Sequence, residues 1–212
     1  MPAVRKLLIG IVLSIAMSLA QAGAYEEIIK AANGGDTEAV ENLLKRGMDV
    51  NTADRSGSTL LMIAARNGNQ PLLETLLVNR ASVNRRNQFG DTALHLATLN
   101  ARIESVQALI EKGADINPSG WTPLHYAVFS GSSEVATLLM AKGAKLDARA
   151  PNGQTPLMLA VKHGNLDLVR QLVDADADMD LTDFEGISAL KLAIRLGNEE
   201  IIEYLRKVGA IE

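Results

Sequence analysis

Short apolar runs headed by a hydroxyl residue recur along this chain. They are Thr59-Leu60-Leu61-Met62-Ile63-Ala64, Thr92-Ala93-Leu94-His95-Leu96-Ala97, Thr122-Pro123-Leu124-His125-Tyr126-Ala127, Thr155-Pro156-Leu157-Met158-Leu159-Ala160 and Ser188-Ala189-Leu190-Lys191-Leu192-Ala193. The steps between their first residues are 33, 30, 33 and 33. A fixed period of this length is the mark of stacked repeats. Thr or Ser heading an apolar run predicts a helix start, because its hydroxyl accepts from backbone N–H groups that have no helical partner. Pro123 and Pro156 suit the first helical turn, where the missing N–H costs nothing. Gly35, Gly68, Gly131, Gly164 and Gly197 close these first helices, and Ala101 takes that place in one unit. A second apolar set follows at helical spacing: Leu72, Leu73, Leu76 and Leu77, then Val106, Leu109 and Ile110, then Val135, Leu138 and Leu139. The pattern predicts pairs of short helices joined by a glycine turn. Each helix is too short to persist alone in water, so neighbours must bury one another's apolar faces.

Further landmarks keep the same phase. Gly47-Met48, Arg80-Ala81, Gly113-Ala114, Gly143-Ala144, Asp176-Ala177 and Gly209-Ala210 each end one unit, and Asp49-Val50-Asn51 and Asp115-Ile116-Asn117 follow two of these closures. With these landmarks the chain resembles an ankyrin-repeat protein from about residue 23 to 212. The resemblance implies an all-α solenoid of stacked helix-turn-helix units with short finger loops. The expected division is a partial capping unit at 24–53 and five repeats starting near Asp54, Asn87, Ser119, Ala150 and Asp183. The end units depart from the pattern, as exposed ends of a stack require. Glu26 and Glu27 stand where the first repeat would begin, and Ser188, Ala189 and Lys191 replace Thr, Pro and His in the last. Both ends read as caps, and the chain is expected to be complete.

The 30-residue step places a deletion. Asn51 to Gly57, Asn84 to Gly90 and Asp147 to Gly153 each span six residues, whereas Asn117 to Gly120 spans three and holds Pro118. The finger before Trp121 is therefore expected to be short. Either it opens a notch in the row of fingers, or the loop shortened without consequence, as surface loops tolerate.

The first residues have a different character. Arg5 and Lys6 precede Leu7 to Leu19, an apolar run free of charge, and Ala20-Gln21-Ala22 matches a small-residue cleavage site. Residues 1–22 thus read as a secretory signal peptide, with Gly23 as the mature N-terminus. The run is shorter than the roughly 20 residues a membrane helix needs. Export, no cysteine and no N-x-Ser/Thr sequon point to a bacterial periplasm. Without Arg5 and Lys6 the chain has 19 basic and 25 acidic residues. That mildly acidic balance argues against nucleic acid as a partner.

Chemistry is sparse. His95 and His125 occupy the fourth motif position, where the resemblance implies a structural histidine that bonds backbone between units. His163 precedes a turn glycine. No H-E-x-x-H, G-x-S-x-G, Walker or dinucleotide fingerprint occurs. In the acidic run from Asp174 to Asp183, the sixth position from Asp174 is Met179, not the glycine a calcium loop requires. No catalytic residue, cofactor or metal site is expected. An enzyme or metal-binding protein using His163 or the acidic run remains the rival reading, with a secreted effector acting on a host protein as another.

The resemblance implies a protein partner bound by finger tips and the exposed side of the first helices. Those positions hold Phe89, Trp121, Phe129 and Phe184, four of the chain's seven aromatic residues, together with Arg66, Leu99, Lys162, His163 and Arg195. Exposed aromatics in a groove dominate binding when covered. A hydrophobic anchor flanked by cations is the expectation; the competing one has Trp121 folded onto the short finger and Phe89 packed on its neighbour. The protein is expected to be a monomer, free of the membrane after cleavage.

Overall fold

The computed structural model describes residues 22–211, so the signal-peptide reading lies outside the described residues, apart from Ala22. Residues 22–34 are helical (α1). The remaining helices are α2 (Thr37–Lys45), α3 (Leu60–Asn67), α4 (Gln70–Val78), α5 (Ala93–Leu99), α6 (Ile103–Glu111), α7 (Pro123–Phe129), α8 (Ser133–Ala141), α9 (Pro156–Lys162), α10 (Leu166–Asp174), α11 (Ala189–Leu196) and α12 (Glu199–Lys207). Among the described residues, extended pairing is limited to the bridges Ala53–Thr59 and Thr182–Ser188, at the bases of two fingers. No helix among the described residues is long and apolar enough to cross a membrane.

The helices form two layers. First helices α3, α5, α7, α9 and α11 pack one on the next, and second helices α2 to α12 do the same behind them. Leu61, Leu94, Leu124, Leu157 and Leu190 stand two residues after the hydroxyl residue of each motif and are buried, as are Leu76, Leu109, Leu139, Leu172 and Leu205 in the second layer. Thr59, Thr92, Thr122, Thr155 and Ser188 each accept a hydrogen bond from the backbone N–H three residues on, so the hydroxyl heads are helix caps.

Two ladders of polar contacts join the units. In the first, Asn51, Asn84, Asn117, Asp147 and Asp180 each accept from the backbone N–H of the following unit, at Ser82 (2.8 Å), Asp115 (2.9 Å), Lys145 (2.7 Å), Asp178 (3.0 Å) and Ile211 (2.9 Å). The second is the histidine ladder. His95 Nδ1 accepts from Thr92 N–H (3.0 Å), which leaves Nε2–H to donate to the Trp121 carbonyl (3.0 Å) in the next unit. His125 repeats this with Thr122 N–H (3.2 Å) and the Gln154 carbonyl (3.2 Å). Burial lowers the pKa of both rings, more than the carbonyl contacts raise it. The structural role anticipated for these histidines is the one they have.

Fingers connect the layers to the groove. In four of them one backbone hydrogen bond closes the loop: Asp54 to Ser58, Asn87 to Asp91, Ala150 to Gln154 and Asp183 to Ile187. The Asp54, Asn87 and Asp183 carboxyl or amide oxygen accepts two further backbone N–H groups inside its own finger. The finger at 118–121 has no such closure among the described residues.

Candidate groove at the short finger

Finger tips touch where the fingers are full length. Gln88 N–H donates to Ser56 O (3.0 Å) and Gln88 Nε2 to Arg55 O (3.0 Å), joining the first two. Phe184 N–H donates to Asn152 O (3.5 Å) and Arg149 Nη1 to Thr182 O (2.6 Å), joining the last two. Between these pairs lies the short finger, and there a cleft of about 260 Å³ opens. Ser119, Gly120 and Trp121 line it together with Phe89 and Asp91 of the preceding finger, Pro151 of the following one, and His95 and Tyr126 of the first-helix layer. The deletion therefore opens a notch.

Trp121 is half-buried: it packs against the apolar core and also borders the cleft. Its ring centroid stands 5.7 Å from His125, 5.5 Å from Tyr126 and 5.8 Å from Phe129, the last two edge-on. Phe129 meets His163 edge-on at 5.3 Å, and His95 approaches Tyr126 at 5.0 Å. A chain of rings thus runs across three units. Edge-to-face pairs at these distances are favourable and hold the rings in fixed orientations. Tyr126 donates its hydroxyl to Asp91 Oδ1. Burial first, and then this carboxylate, push the phenol pKa well up, so Tyr126 stays a neutral donor.

The other expected positions sit as follows. Phe89 and Phe184 are exposed by 77% and 70%, and Phe129 by 50%. Phe184 nonetheless lies against Gly153, where an added Cβ would come within 2.7 Å of Phe184 N and 2.8 Å of its ring. Leu99 is half-buried, and Lys162, His163 and Arg195 are exposed. Arg66 is half-buried and donates to Asn33 Oδ1 (3.1 Å) and Asn67 Oδ1 (3.5 Å). Phe89, Trp121, Phe129 and His163 are brought together around the notch; Arg66, Arg195 and Phe184 lie further along the same surface. Sequence reasoning missed Tyr126. Its motif position holds Ile63, Leu96, Leu159 and Leu192 elsewhere, so it reads as core.

The acidic run is occupied by the fold. Asp178 accepts from Asp180 N–H (2.9 Å), Asp180 from Ile211 N–H (2.9 Å), and Asp183 from Glu185 and Ile187 N–H (2.9 and 3.0 Å). Among the described residues no three His, Asp or Glu side chains are grouped to hold a metal ion.

The family described as ankyrin repeats (3 copies) matches residues 13–87, 61–150 and 145–211. The chain belongs to the ankyrin-repeat family. Ankyrin repeats generally mediate protein–protein interaction and are typically binding modules without enzymatic activity. Among curated proteins, the 2-5A-dependent ribonuclease of Mus musculus is 51% identical over 43 residues, 18% of this chain and 6% of that protein. That likeness is confined to a short stretch of repeats, and the chain spans a small part of the relative's length.

Proposed function

We propose that this ankyrin-repeat chain is an exported, periplasmic binding protein without catalytic activity, and that it sequesters, inhibits or stabilises one protein partner through the groove formed by its fingers and first helices. The observation that carries the reading is the chain of rings at the notch. Trp121 and Phe129 are held in orientation by their neighbours, with Phe129 half-exposed and Trp121 half-buried at the edge of the cleft, and such aromatics are the usual anchors of an interface. The apolar start of the sequence supports export.

The test is affinity capture of partners from a periplasmic extract by the wild-type protein and by Trp121→Ala and Phe129→Ala. Each variant is expected to lose a specific partner, with affinity weakened by on the order of 2 kcal/mol or more. Because Phe129 is half-exposed, the unfolding midpoint of Phe129→Ala should move little. A large loss of stability with unchanged capture would assign the rings to packing. Recovery of the protein in the culture medium rather than the periplasm would refute the proposed location.

A further inference from the structure

The charge of this molecule is divided between its two layers. First helices α3, α5, α7, α9 and α11 carry four basic side chains and no acidic one. Second helices α2, α4, α6, α8, α10 and α12 carry eleven acidic and four basic. The chain is acidic overall, yet the layer that lines the groove is positive. The division begins at α3, since residues 22–34 hold Glu26, Glu27 and Lys30.

One motif position concentrates the effect. Seven residues after each hydroxyl head stand Arg66, Leu99, Phe129, Lys162 and Arg195 in successive units. The row reads cation, apolar, apolar, cation, cation. Among the described residues Lys162 and Arg195 form no ion pair or hydrogen bond, and Arg66 hydrogen-bonds Asn33 and Asn67 while the Asp54 carboxylate attracts it from beyond ion-pair distance. Their charges are not neutralised within 4 Å. Neighbouring packed helices lie roughly 8–10 Å apart, so the row is on the order of 35 Å long. An extended segment of about ten to twelve residues covers that distance.

From this arrangement we infer that the groove binds an extended acidic segment of its protein partner, with apolar residues at the centre and carboxylates on both sides. The central side chains lie on Leu99, Phe129 and the notch beside Trp121. The flanking carboxylates face Arg66 at one end and Lys162 and Arg195 at the other, so one end of the segment is the more acidic. The inference rests on the groove being the binding surface and adds the chemistry of what it binds. Net negative charge on the second-helix layer repels a polyanion long enough to leave the groove, which favours a short acidic stretch over nucleic acid.

Selection from a displayed library of random twelve-residue peptides tests this. Baits are the wild-type protein, Lys162→Glu/Arg195→Glu, Trp121→Ala/Phe129→Ala, and Glu104→Lys/Glu134→Lys on the opposite layer. Circular dichroism of each bait confirms its helicity. Wild type is expected to enrich peptides with an apolar centre and acidic flanks. Binding of the enriched peptides should weaken about tenfold or more in the groove reversal and with added salt, and stay unchanged in the opposite-layer reversal. Neutral or basic enriched peptides that depend on Trp121 and Phe129 would overturn the acidic chemistry and leave the groove standing. Enriched peptides indifferent to Trp121 and Phe129, or no enrichment, would overturn both. Tighter binding of a random 20-nucleotide single-stranded DNA than of any selected peptide would overturn the choice of partner.

Discussion

Ala101 marks where single residues of this chain depart from what their backbone requires. It stands where Gly68, Gly131, Gly164 and Gly197 close the other first helices, and it takes the same left-handed conformation, with φ of 51°. A Cβ there crowds the following carbonyl. Ala101→Gly is therefore expected to stabilise the protein by about 0.5–1 kcal/mol, the strain relieved exceeding the extra chain entropy, and urea unfolding measures it. The histidines carry a second prediction. Burial holds the His95 and His125 pKa values below the ordinary 6.5, so between the folded and unfolded values the unfolded chain binds more protons. Their contribution is fully present above pH 6.5 and declines on acidification below it. Met62 and Met158 occupy the same motif position in other units, so His95→Met/His125→Met is a tolerated exchange in shape. At neutral pH it should lose about 1–2 kcal/mol per histidine through the inter-unit bonds. The deficit should shrink as pH falls below 6.5, which thermal unfolding across a pH series would reveal. The histidine role was legible in the sequence through the resemblance to ankyrin repeats, which implies that the ring bonds the neighbouring unit's backbone. The Tyr126–Asp91 contact was not: the residues are 35 positions apart, and the Ile or Leu found at the Tyr126 position of the other units cannot make it.

At the scale of elements, every helix from α2 onward has seven to nine residues, below the roughly 12–15 at which isolated helices become marginal. Their persistence depends on neighbours, and the asparagine ladder is one means of coupling them. Asn84 both accepts from Asp115 N–H (2.9 Å) and donates to Gly113 O (3.0 Å). Removing its amide breaks both links between the two units and leaves an exposed backbone N–H and a carbonyl to water. Asn84→Ala is expected to cost about 1–2 kcal/mol, and because the lost contacts join units rather than stabilise one, unfolding should also become less cooperative. A shallower denaturant transition beside a lower midpoint is the expected record; an unchanged slope would mean the apolar contacts alone couple the units. Helix starts were plain from the hydroxyl heads, since capping is local chemistry. Finger geometry was legible only as length, because three missing residues say that tips cannot meet but not which side chains then line the gap.

At the scale of the whole molecule, the short finger converts a continuous wall into two pairs of joined fingers with a cleft between them. Replacing Pro118-Ser119 by the five residues found at 52–56, Thr-Ala-Asp-Arg-Ser, restores the missing length without changing net charge. The graft supplies an aspartate that accepts two backbone N–H groups within its loop, as Asp54 does for Ser56 (2.8 Å) and Ser58 (2.9 Å). Lengthening a loop by three residues costs little entropy, and each hydrogen bond gained contributes about 1 kcal/mol. Stability should therefore hold or rise slightly. The new tip would occupy the cleft of about 260 Å³ and cover Trp121, while the charges of Arg66, Lys162 and Arg195 remain in place. Binding of the selected peptides is expected to fall about tenfold, a loss of about 1.4 kcal/mol, with its salt dependence retained. Calorimetric titration at two ionic strengths separates the terms: a lost apolar contribution with the electrostatic one intact places the anchor in the notch. Unchanged affinity in a folded graft would mean that ligands ride on the first-helix row alone and that the deletion serves no recognition.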